Sequence, residues 1–317
     1  MSALWTDPRV RSLFSKKVLE NMYANDNWSL GFNQDYTGEL KGKGSTVEVF
    51  SFPDPTVSDY NVPSGALSSV LLSYERLSAT KVPLSIDHDA EWSIAEDRTQ
   101  GALASPKAFE ALARNGAKVM RLQRDRELAM TLQNGAGTSD PITGSGVSSA
   151  PIVGHGATDD ISAYVMLERL MERVKLFAEE EEELHVFMPT WFMTMLRVDV
   201  RFSGFGTMES RRNMKGEQIL TGAGFMLHET LNSLNGAGTG FSSGPDGSAQ
   251  NRIIVNAKSA ASYVPYINED EMTDMIPAAM NVLSHDNLLR SRHIWGSGVM
   301  RAQGVLTQLV QRGSYEP

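Results

Sequence analysis

Length, composition and charge place the chain among folded proteins with a substantial core. It has 317 residues, of which 41% are hydrophobic and 21% charged, so intrinsic disorder is excluded as its main state. The formal net charge of −9 excludes a global positive field for nucleic acid or anionic lipid, and the lack of cysteine excludes disulfides, Fe–S clusters, thiolate zinc sites and a cysteine nucleophile.

Residues 1–44 predict an arm rather than the start of a compact domain. Apolar residues recur at helical spacing after Pro8, which predicts an amphipathic helix that ends near Asn25. The irregular segment Asn27–Gly44 contains Trp28 and other aromatic residues, which favour contact with another surface. The sequence starts without the basic and apolar regions of a secretory signal, and no apolar run could span a bilayer, so we expect a cytoplasmic protein without membrane contact.

Residues 45–96 predict a long, mostly two-stranded antiparallel excursion. A first strand begins at Val47 and ends before the turn-rich segment Pro53–Gly65. A second strand alternates apolar and polar residues, so one face should be buried and the other wet. Its apolar positions are Leu84, Ile86, His88, Ala90, Trp92 and Ile94. Because an isolated hairpin is marginally stable, it needs a platform that the local sequence does not provide.

The longest predicted element is a helix over residues 105–134. Ser105 followed by Pro106 is a start signal, Asn134-Gly135 is a stop signal, and no proline lies between them. One face carries a broad apolar stripe, and the opposite face is basic with interspersed acidic residues such as Glu110. This basic face could meet phosphates or form salt bridges between subunits, and the sequence does not separate the two.

A loop rich in Gly, Ser, Thr and Pro, residues 134–158, precedes a second unit. There we expect a helix whose first turn carries Asp159 and Asp160, since negative charge suits the N-terminal end of a helix dipole. A short buried strand should follow over Leu184–Met188, and then a helix over residues 189–196.

The remaining sequence predicts mainly strands. We expect a strand and turn over residues 219–227, a flexible loop over 232–250 and strand character over 252–264. Residues 272–289 are compatible with a helix, and residues 293–310 predict the final strands. This order of helices and strands indicates an α+β fold.

Motifs that resemble catalytic signatures fail one by one. Residues 38–45 lack one spacer and the Ser or Thr of a phosphate loop, and residues 228–232 have Asn where a zinc-protease helix has its second His. Residues 144–146 lack the nucleophile elbow, and residues 236–240 lack the glycine spacing of a dinucleotide site. We therefore assign no catalytic, cofactor-binding or metal-binding residue and predict that the chain is not an enzyme.

Two groups of residues stay open to a functional reading. Asp87, Asp89 and Glu91 share the wet face of one strand, where their oxygens could hold Ca²⁺ or Mg²⁺, although a solvated face or basic side chains of another subunit are favoured. No two of the six histidines lie at i, i+2 or i, i+4, so only pairing in space could create a metal site. We expect His88 to be a core imidazole and the acidic run Glu179–Glu183 to be a solvated helix end.

The order of parts resembles the major capsid proteins of tailed bacteriophages, whose fold is shared with encapsulins. The resemblance is carried by the arm, by the two-stranded loop with Pro55–Tyr60 and Val82–Gln100, and by the long helix that follows. Leu184–Leu196 is similar to the strand, proline and helix step of that family, and Gly216–Leu231 is similar to its next turn and strand. The resemblance spans about residues 40–310.

The resemblance implies an α+β tailed-phage major capsid fold in which a long loop lies across a neighbouring subunit. The implied parts are an N-terminal arm (1–44), an extended β-hairpin loop (45–96), a peripheral domain (97–150 and 265–317, with a spine helix at 105–134) and an axial domain (151–264). We expect arm and loop to fold onto neighbouring copies and not back onto their own chain, because they contribute more apolar surface than their own domain should cover.

The implied function is that of a structural protein that self-assembles as hexamers and pentamers into an icosahedral phage head around double-stranded DNA. The expected partners are further copies, a portal, a decoration protein, non-specifically bound DNA and a separate scaffolding protein, since the sequence shows no long charged extension at its start. The expected location is the virion, and the host cytoplasm during assembly. Lys81 is the only lysine of the loop, too little to predict the lysine–asparagine crosslink of some relatives.

Three alternatives remain. One is the shell of an encapsulin-like compartment. Another is an α+β metal-dependent hydrolase that uses Asp87, Asp89 and Glu91. The third, a nucleic-acid-binding module, is disfavoured by the net charge of −9.

Overall fold

The computed structural model describes residues 8–23, 28–37, 44–51, 80–96, 106–177, 182–199, 209–212, 218–222, 225–230, 233–237, 250–266, 273–276 and 287–314. Within them the longer helices are α1 (Pro8–Tyr23), α2 (Pro106–Gly135), α3 (Ala163–Lys175) and α4 (Thr190–Val198). The strands are β1 (Thr46–Ser51), β2 (Thr80–Ser85), β3 (His88–Glu96), β4 (Thr138–Ser139), β5 (Ile152–Gly154), β6 (Ile161–Ser162), β7 (Leu184–Pro189), β8 (Glu209–Arg212), β9 (Gln218–Gly222), β10 (Phe225–Thr230), β11 (Gln250–Ala257), β12 (Ala261–Tyr266), β13 (Thr273–Ile276), β14 (Asn287–Val299) and β15 (Val305–Arg312). Among these residues, no helix combines the length and the apolar character needed to cross a membrane.

The larger sheet has the strand order β6-β5-β15-β11-β7-β10-β9-β8, with β4 paired to β15. Its centre is β7, which is parallel to β10 and antiparallel to β11. All six residues of β7 are buried, and because successive residues point to opposite faces, both faces of this strand are covered. The predicted buried strand and the helix after it, α4, are confirmed. Buried side chains of α3 and α4, including Leu170 and Phe192, complete the main core.

The smaller sheet is built around β14, the longest strand in the described residues. Residues 287–295 of β14 pair with β3, while residues 288–291 pair with β13 and residues 294–299 with β12, so β3 lies on the opposite side from the other two. The predicted helix over residues 272–289 is wrong where the structure describes it, because residues 273–276 and 287–289 are strand. Burial of alternate positions, Leu289, Ser291, His293 and Trp295, shows that the period is two.

The predicted two-stranded excursion is confirmed in its described part, where β1 pairs antiparallel with β2 from Thr46 opposite Ser85. Residues 52–79 lie outside the described residues. The predicted single strand through residues 84–94 is interrupted at residues 86–87, and its second half, β3, belongs to the smaller sheet. The hairpin base rests on its own chain, since Leu84 and Ile86 are buried with Val264 of β12.

The crossing between β2 and β14 requires a glycine. A Cβ atom at Gly296 would collide with the carbonyl oxygen of Ser85 and would also crowd the Cα atom of Ile86. Only hydrogen fits at residue 296 without moving the hairpin, so this position sets how closely the hairpin approaches the smaller sheet.

The arm folds onto its own chain, so the prediction that it lies on neighbouring copies is wrong for the described residues. Phe14, Val18 and Met22 of α1 are buried against the N-terminal half of α2 and Leu289. Beyond α1, the Trp28 ring stacks on Phe187 with ring centroids 4.3 Å apart and planes 8° apart. The buried residues of α1 and the residues of α2 that cover them are about a hundred residues apart in the sequence. A local sequence pattern cannot connect residues that far apart.

The Asn256 side chain fixes the next part of the arm. Its Nδ2 atom donates a hydrogen bond of 2.6 Å to the carbonyl oxygen of Gly31. A Cβ atom at Gly31 would lie 2.6 Å from the Phe187 ring, so the backbone approaches the core strand closely at this point. The arm therefore contributes to the main core instead of covering another copy.

Helix α2 spans Pro106–Gly135, which confirms the predicted helix. Asp159 and Asp160, by contrast, precede α3 instead of forming its first turn. The N-cap of α3 is Ser162, whose side chain accepts a hydrogen bond from the Val165 N–H. Asp160 instead accepts hydrogen bonds from the backbone N–H groups of Ser145 and Ile152. Short polar side chains can accept hydrogen bonds from the backbone of a loop as well as from the first turn of a helix, and Asp160 does the former.

The sheet pairing does not follow the ranges expected from the sequence. β15, which the sequence assigns to the same part as the spine helix, pairs with β11 in the larger sheet. β12, which spans the expected boundary at residues 264–265, pairs with β14 in the smaller sheet. The chain therefore passes between the two sheets more than once after residue 250.

Candidate functional sites

The acidic face of β3 is paired within the chain. Nε of Arg292 donates a 2.7 Å hydrogen bond to Asp89, and Nε of Arg290 lies 3.8 Å from Glu91. Both arginines belong to β14, the neighbouring strand of the same chain, and not to another subunit. Because their charge already balances these carboxylates, the arrangement does not favour a divalent cation. Among the described residues, no group of three His, Asp or Glu side chains is placed to hold a metal ion.

A groove of about 590 Å³ runs between β3 and α2. We call it the β3–α2 groove, and its lining is formed by residues 87–92, Val119, Met120, Gln123, Glu127 and Trp295. His88, expected to be a core imidazole, is partly exposed in this groove and stacks on Trp295 with ring centroids 5.5 Å apart. Its Nε2 atom lies 3.6 Å from Asp87. Among the described residues, the groove lining contains no hydroxyl or thiol that His88 could activate as a nucleophile.

Two histidines that are distant in sequence meet in the larger sheet. Nδ1 of His185, on β7, lies 2.8 Å from Nε2 of His228, on β10, and the two rings stack with centroids 5.1 Å apart. The sequence left spatial pairing of histidines open, and the structure brings this pair together. The Phe187 ring also stacks on His228, with ring centroids 4.9 Å apart.

Burial holds both imidazoles neutral. It lowers the pKa of His185 to about 4, opposed by the nearby Glu183 carboxylate, and lowers the pKa of His228 to about 3, with a smaller contribution from His185. In the neutral pair one ring donates and the other accepts the shared hydrogen bond. A general base with so low a pKa is a poor match for neutral pH, so this pair is a structural element of the sheet.

A third buried histidine lies in the smaller sheet. Burial, with a smaller contribution from Arg124, lowers the pKa of His293 to about 3. Its Nε2 atom is 3.4 Å from the hydroxyl of Tyr263, and its ring stacks on Trp295. Arg124 itself is fully buried and donates to Asp125 at 3.2 Å. Sequence reasoning missed Arg124, because an arginine within a charged helical segment gives no sign that it points inward.

The sequence predicted that the acidic run Glu179–Glu183 is a solvated helix end, and this prediction is wrong for the described residues Glu182 and Glu183. Helix α3 ends at Lys175, and Glu182 and Glu183 directly precede β7. Glu182 accepts a hydrogen bond of 3.0 Å from Arg301, and Glu183 accepts one of 2.7 Å from Lys258. The Lys258 hydrogen bond lowers the pKa of Glu183. Residues 178–181 lie outside the described residues.

Comparison with known proteins identifies the fold. No family model matches the sequence, and no curated protein does. A structure from Mycobacterium phage Che8 is 21% identical with a TM-score of 0.58, over 89% of this chain and 90% of that chain. The capsid structure of Cyanophage P-SCSP1u is 13% identical with a TM-score of 0.56, over 86% and 85% of the two chains.

The holo-SrpI encapsulin complex from Synechococcus elongatus PCC 7942 is 10% identical with a TM-score of 0.52, over 88% of this chain and 86% of that chain. The chain therefore has the major capsid protein fold of tailed phages that encapsulins share, and the predicted α+β capsid fold is confirmed. At these identities the likeness concerns the fold.

Proposed function

We propose that the chain is a structural shell subunit, the major capsid protein of an icosahedral tailed-phage head that encloses double-stranded DNA. The observation that carries this proposal is a fold shared with the Che8 and P-SCSP1u structures over nearly nine-tenths of the chain, at TM-scores of 0.58 and 0.56. The described residues add support, because Asp89 pairs with Arg292, Glu183 pairs with Lys258, and burial lowers the pKa of His228 far below neutral pH. We propose no enzymatic activity.

We propose a division of the shell subunit that is supported by the strand pairing in the two sheets. The β1–β2 hairpin serves as the extended loop, and α2 serves as the spine of a peripheral domain that contains the smaller sheet. The larger sheet, with α3 and α4, forms the axial domain, to which β15 contributes. This division keeps each sheet within one domain, unlike one drawn at residue 264.

Contacts between copies would bury apolar side chains that the single chain leaves in water. Outside the β3–α2 groove, the described residues with the largest exposed fractions of this kind are Leu13, Val147, Leu176, Phe177 and Phe50. On the hairpin, Phe50 is 51% exposed and the ammonium of Lys81 lies 5.1 Å from its ring centroid, so an apolar surface and a cation occur together. Because Phe14, Val18 and Met22 of the arm are buried by its own chain, these exposed side chains and the hairpin supply the interface.

Hexamers and pentamers of such a subunit, repeated with closed symmetry, make a shell from individually modest contacts. Its net charge of −9 gives no attraction for DNA, so the enclosed genome would be retained by the closed wall and touched without sequence preference. A separate scaffolding protein, a portal and a decoration protein are the further partners that we propose, with assembly in the host cytoplasm and residence in the virion.

An encapsulin-like compartment is the second candidate, supported by the shared fold with the SrpI encapsulin complex. Nuclease digestion of purified particles separates the two functions. A phage head protects double-stranded DNA of uniform length, whereas an encapsulin-like shell contains a copurifying protein and no protected genome.

The proposal itself is tested by sedimentation velocity of the expressed chain, alone and with the products of its neighbouring genes. Capsomers or closed shells are expected. The matched substitutions Phe177→Asp and Leu176→Asp, at residues that are 46% and 68% exposed, should reduce assembly without unfolding the subunit. A chain that sediments as a monomer in every combination contradicts the proposed function.

A further inference from the structure

Strand β3 is at an edge of the smaller sheet. Along its full length it pairs with residues 287–295 of β14, and among the described strands it pairs with no other. The backbone groups on its opposite side therefore lack a strand partner in the part of the chain that the structure describes. Such an edge is a template for the addition of another strand.

The β3–α2 groove lies along this strand and has an apolar wall. The Trp92 ring packs directly over Gly116 of α2, where a Cβ atom would collide with it. One turn further along α2, Val119 is 59% exposed, and Met120 beside it is buried. An extended segment on the β3 edge would cover Val119 and remove its apolar surface from water.

Two carboxylates of the same groove lack a basic partner in the described part of the chain. Asp89 and Glu91 are balanced by Arg292 and Arg290, whereas Asp87 and Glu127 have no lysine or arginine partner among the described residues. The Asp87 side chain is 62% exposed, and Glu127 accepts only a 2.8 Å hydrogen bond from the neutral Gln123 side chain. Two carboxylates next to an apolar wall fit a segment that carries both basic and apolar side chains.

We propose that the β3–α2 groove binds an extended, basic segment of a different protein, which adds a strand to the edge of β3 that no described strand pairs with. Main-chain hydrogen bonds to the edge supply part of the affinity, and alternate apolar side chains contact Trp92 and Val119. Lysine or arginine at the end of the segment pairs with Asp87 and Glu127. A second copy of this chain is disfavoured as the occupant, because it brings a net charge of −9 to an acidic groove.

A labelled synthetic peptide of nine residues, the length of β3, tests this directly. The peptide has a valine–threonine core flanked by lysines, and its binding to the full-length protein is followed by fluorescence anisotropy. One control peptide carries glutamate in place of lysine. Another carries a central proline, which cannot donate the hydrogen bond that a strand edge accepts.

Variants of the protein locate the binding. Val119→Ser removes the apolar contact without changing the charge of the groove and should weaken binding about tenfold. Val147→Ser is its matched control, because Val147 is 65% exposed and lies outside the groove. Asp87→Asn with Glu127→Gln should weaken binding at low salt and reduce its salt dependence. Asp35→Asn with Glu172→Gln removes the same charge elsewhere on the surface and should leave binding unchanged.

The inference holds if the lysine peptide binds, the glutamate and proline peptides do not, and only the groove variants weaken binding. It is overturned if the lysine peptide fails to bind, or if the Val119→Ser and Val147→Ser proteins bind it equally. It is also overturned if Val119→Ser abolishes self-assembly while the unassembled protein does not bind the peptide, since the occupant is then a second copy. Circular dichroism of each variant confirms that the comparison is made between folded proteins.

Discussion

Acid should destabilise the subunit through its buried histidine pair. Burial lowers the pKa of His185 to about 4 and that of His228 to about 3, from the usual value of 6.5. Below about pH 6.5 the unfolded chain therefore binds more protons than the folded chain, so the free energy of unfolding falls as the pH falls. The contribution of the pair to the free energy of unfolding is complete above pH 6.5 and is lost as the pH falls to about 4 for His185 and about 3 for His228.

The size of the effect follows from the pKa differences. At pH 5 each histidine is mostly protonated in the unfolded chain and neutral in the folded chain, which costs about 2 kcal/mol for each and about 4 kcal/mol for the pair relative to pH 7.5. Urea unfolding of the unassembled chain between pH 5 and pH 8, followed by circular dichroism, measures this directly.

The variant His185→Phe with His228→Phe isolates the pair. Phenylalanine keeps the stacked rings and removes both hydrogen-bonding partners together, which limits the cost of leaving a polar group unpaired. The acid slope, which is the change in the free energy of unfolding per pH unit, gives the number of protons taken up on unfolding. In the double variant this number should fall by up to two, and the remaining uptake comes from His293 and the carboxylates. His155→Asn, in an exposed loop, should follow the unchanged protein. An acid slope that is the same with and without the pair refutes the reasoning.

Three further substitutions test the contacts that fix the fold. Trp28→Ala removes the stack on the core strand and should lower the free energy of unfolding by about 3–5 kcal/mol in urea titrations, whereas Leu30→Ala, at a residue that is 41% exposed, should change it little. Gln308→Ala should cost about 1–3 kcal/mol in the same assay, because Gln308 exchanges two 2.9 Å hydrogen bonds with the buried backbone of Ile142. Gly296→Ala should displace the hairpin and increase hydrogen exchange of β1 and β2 without unfolding the larger sheet.

Each of these substitutions has an outcome that contradicts the account. Equal effects of the Trp28 and Leu30 substitutions would show that the arm does not belong to the core of its own chain. A neutral Gln308→Ala would show that water replaces the amide at this site. Unchanged exchange in both hairpin strands of the Gly296 variant would mean that the hairpin does not cross β14 as closely as described.

Helices and strands could be predicted where nearby residues supply the start signal, the stop signal and the spacing of apolar residues. Helix α2 has a Ser-Pro start and an Asn-Gly stop, and its observed span, Pro106–Gly135, follows them. Strand β7 is a short run of apolar residues around His185 that ends at Pro189, and it is buried throughout. The predicted capsid fold rested on the order of these parts, and that order survives at 10–21% identity to solved structures.

Features that depend on contacts between distant residues could not be predicted. Asp89 and its partner Arg292 are 203 residues apart, and only the pairing of β3 with β14 brings them together. The burial of Phe14 depends on small residues of α2 that face it, which no local pattern connects to the arm. The pairing of His185 with His228 in the larger sheet could not be predicted either. Nothing in the local sequence around either histidine indicates its partner.

The central claim is that this chain builds a closed shell, and electron cryomicroscopy of the assembled product tests it most directly. We expect an icosahedral particle whose wall accommodates the two sheets and α2 as described, with the β1–β2 hairpin of each copy in contact with a neighbour. A homogeneous sample of single subunits, or an open aggregate without symmetry after coexpression with the neighbouring genes, would contradict the claim.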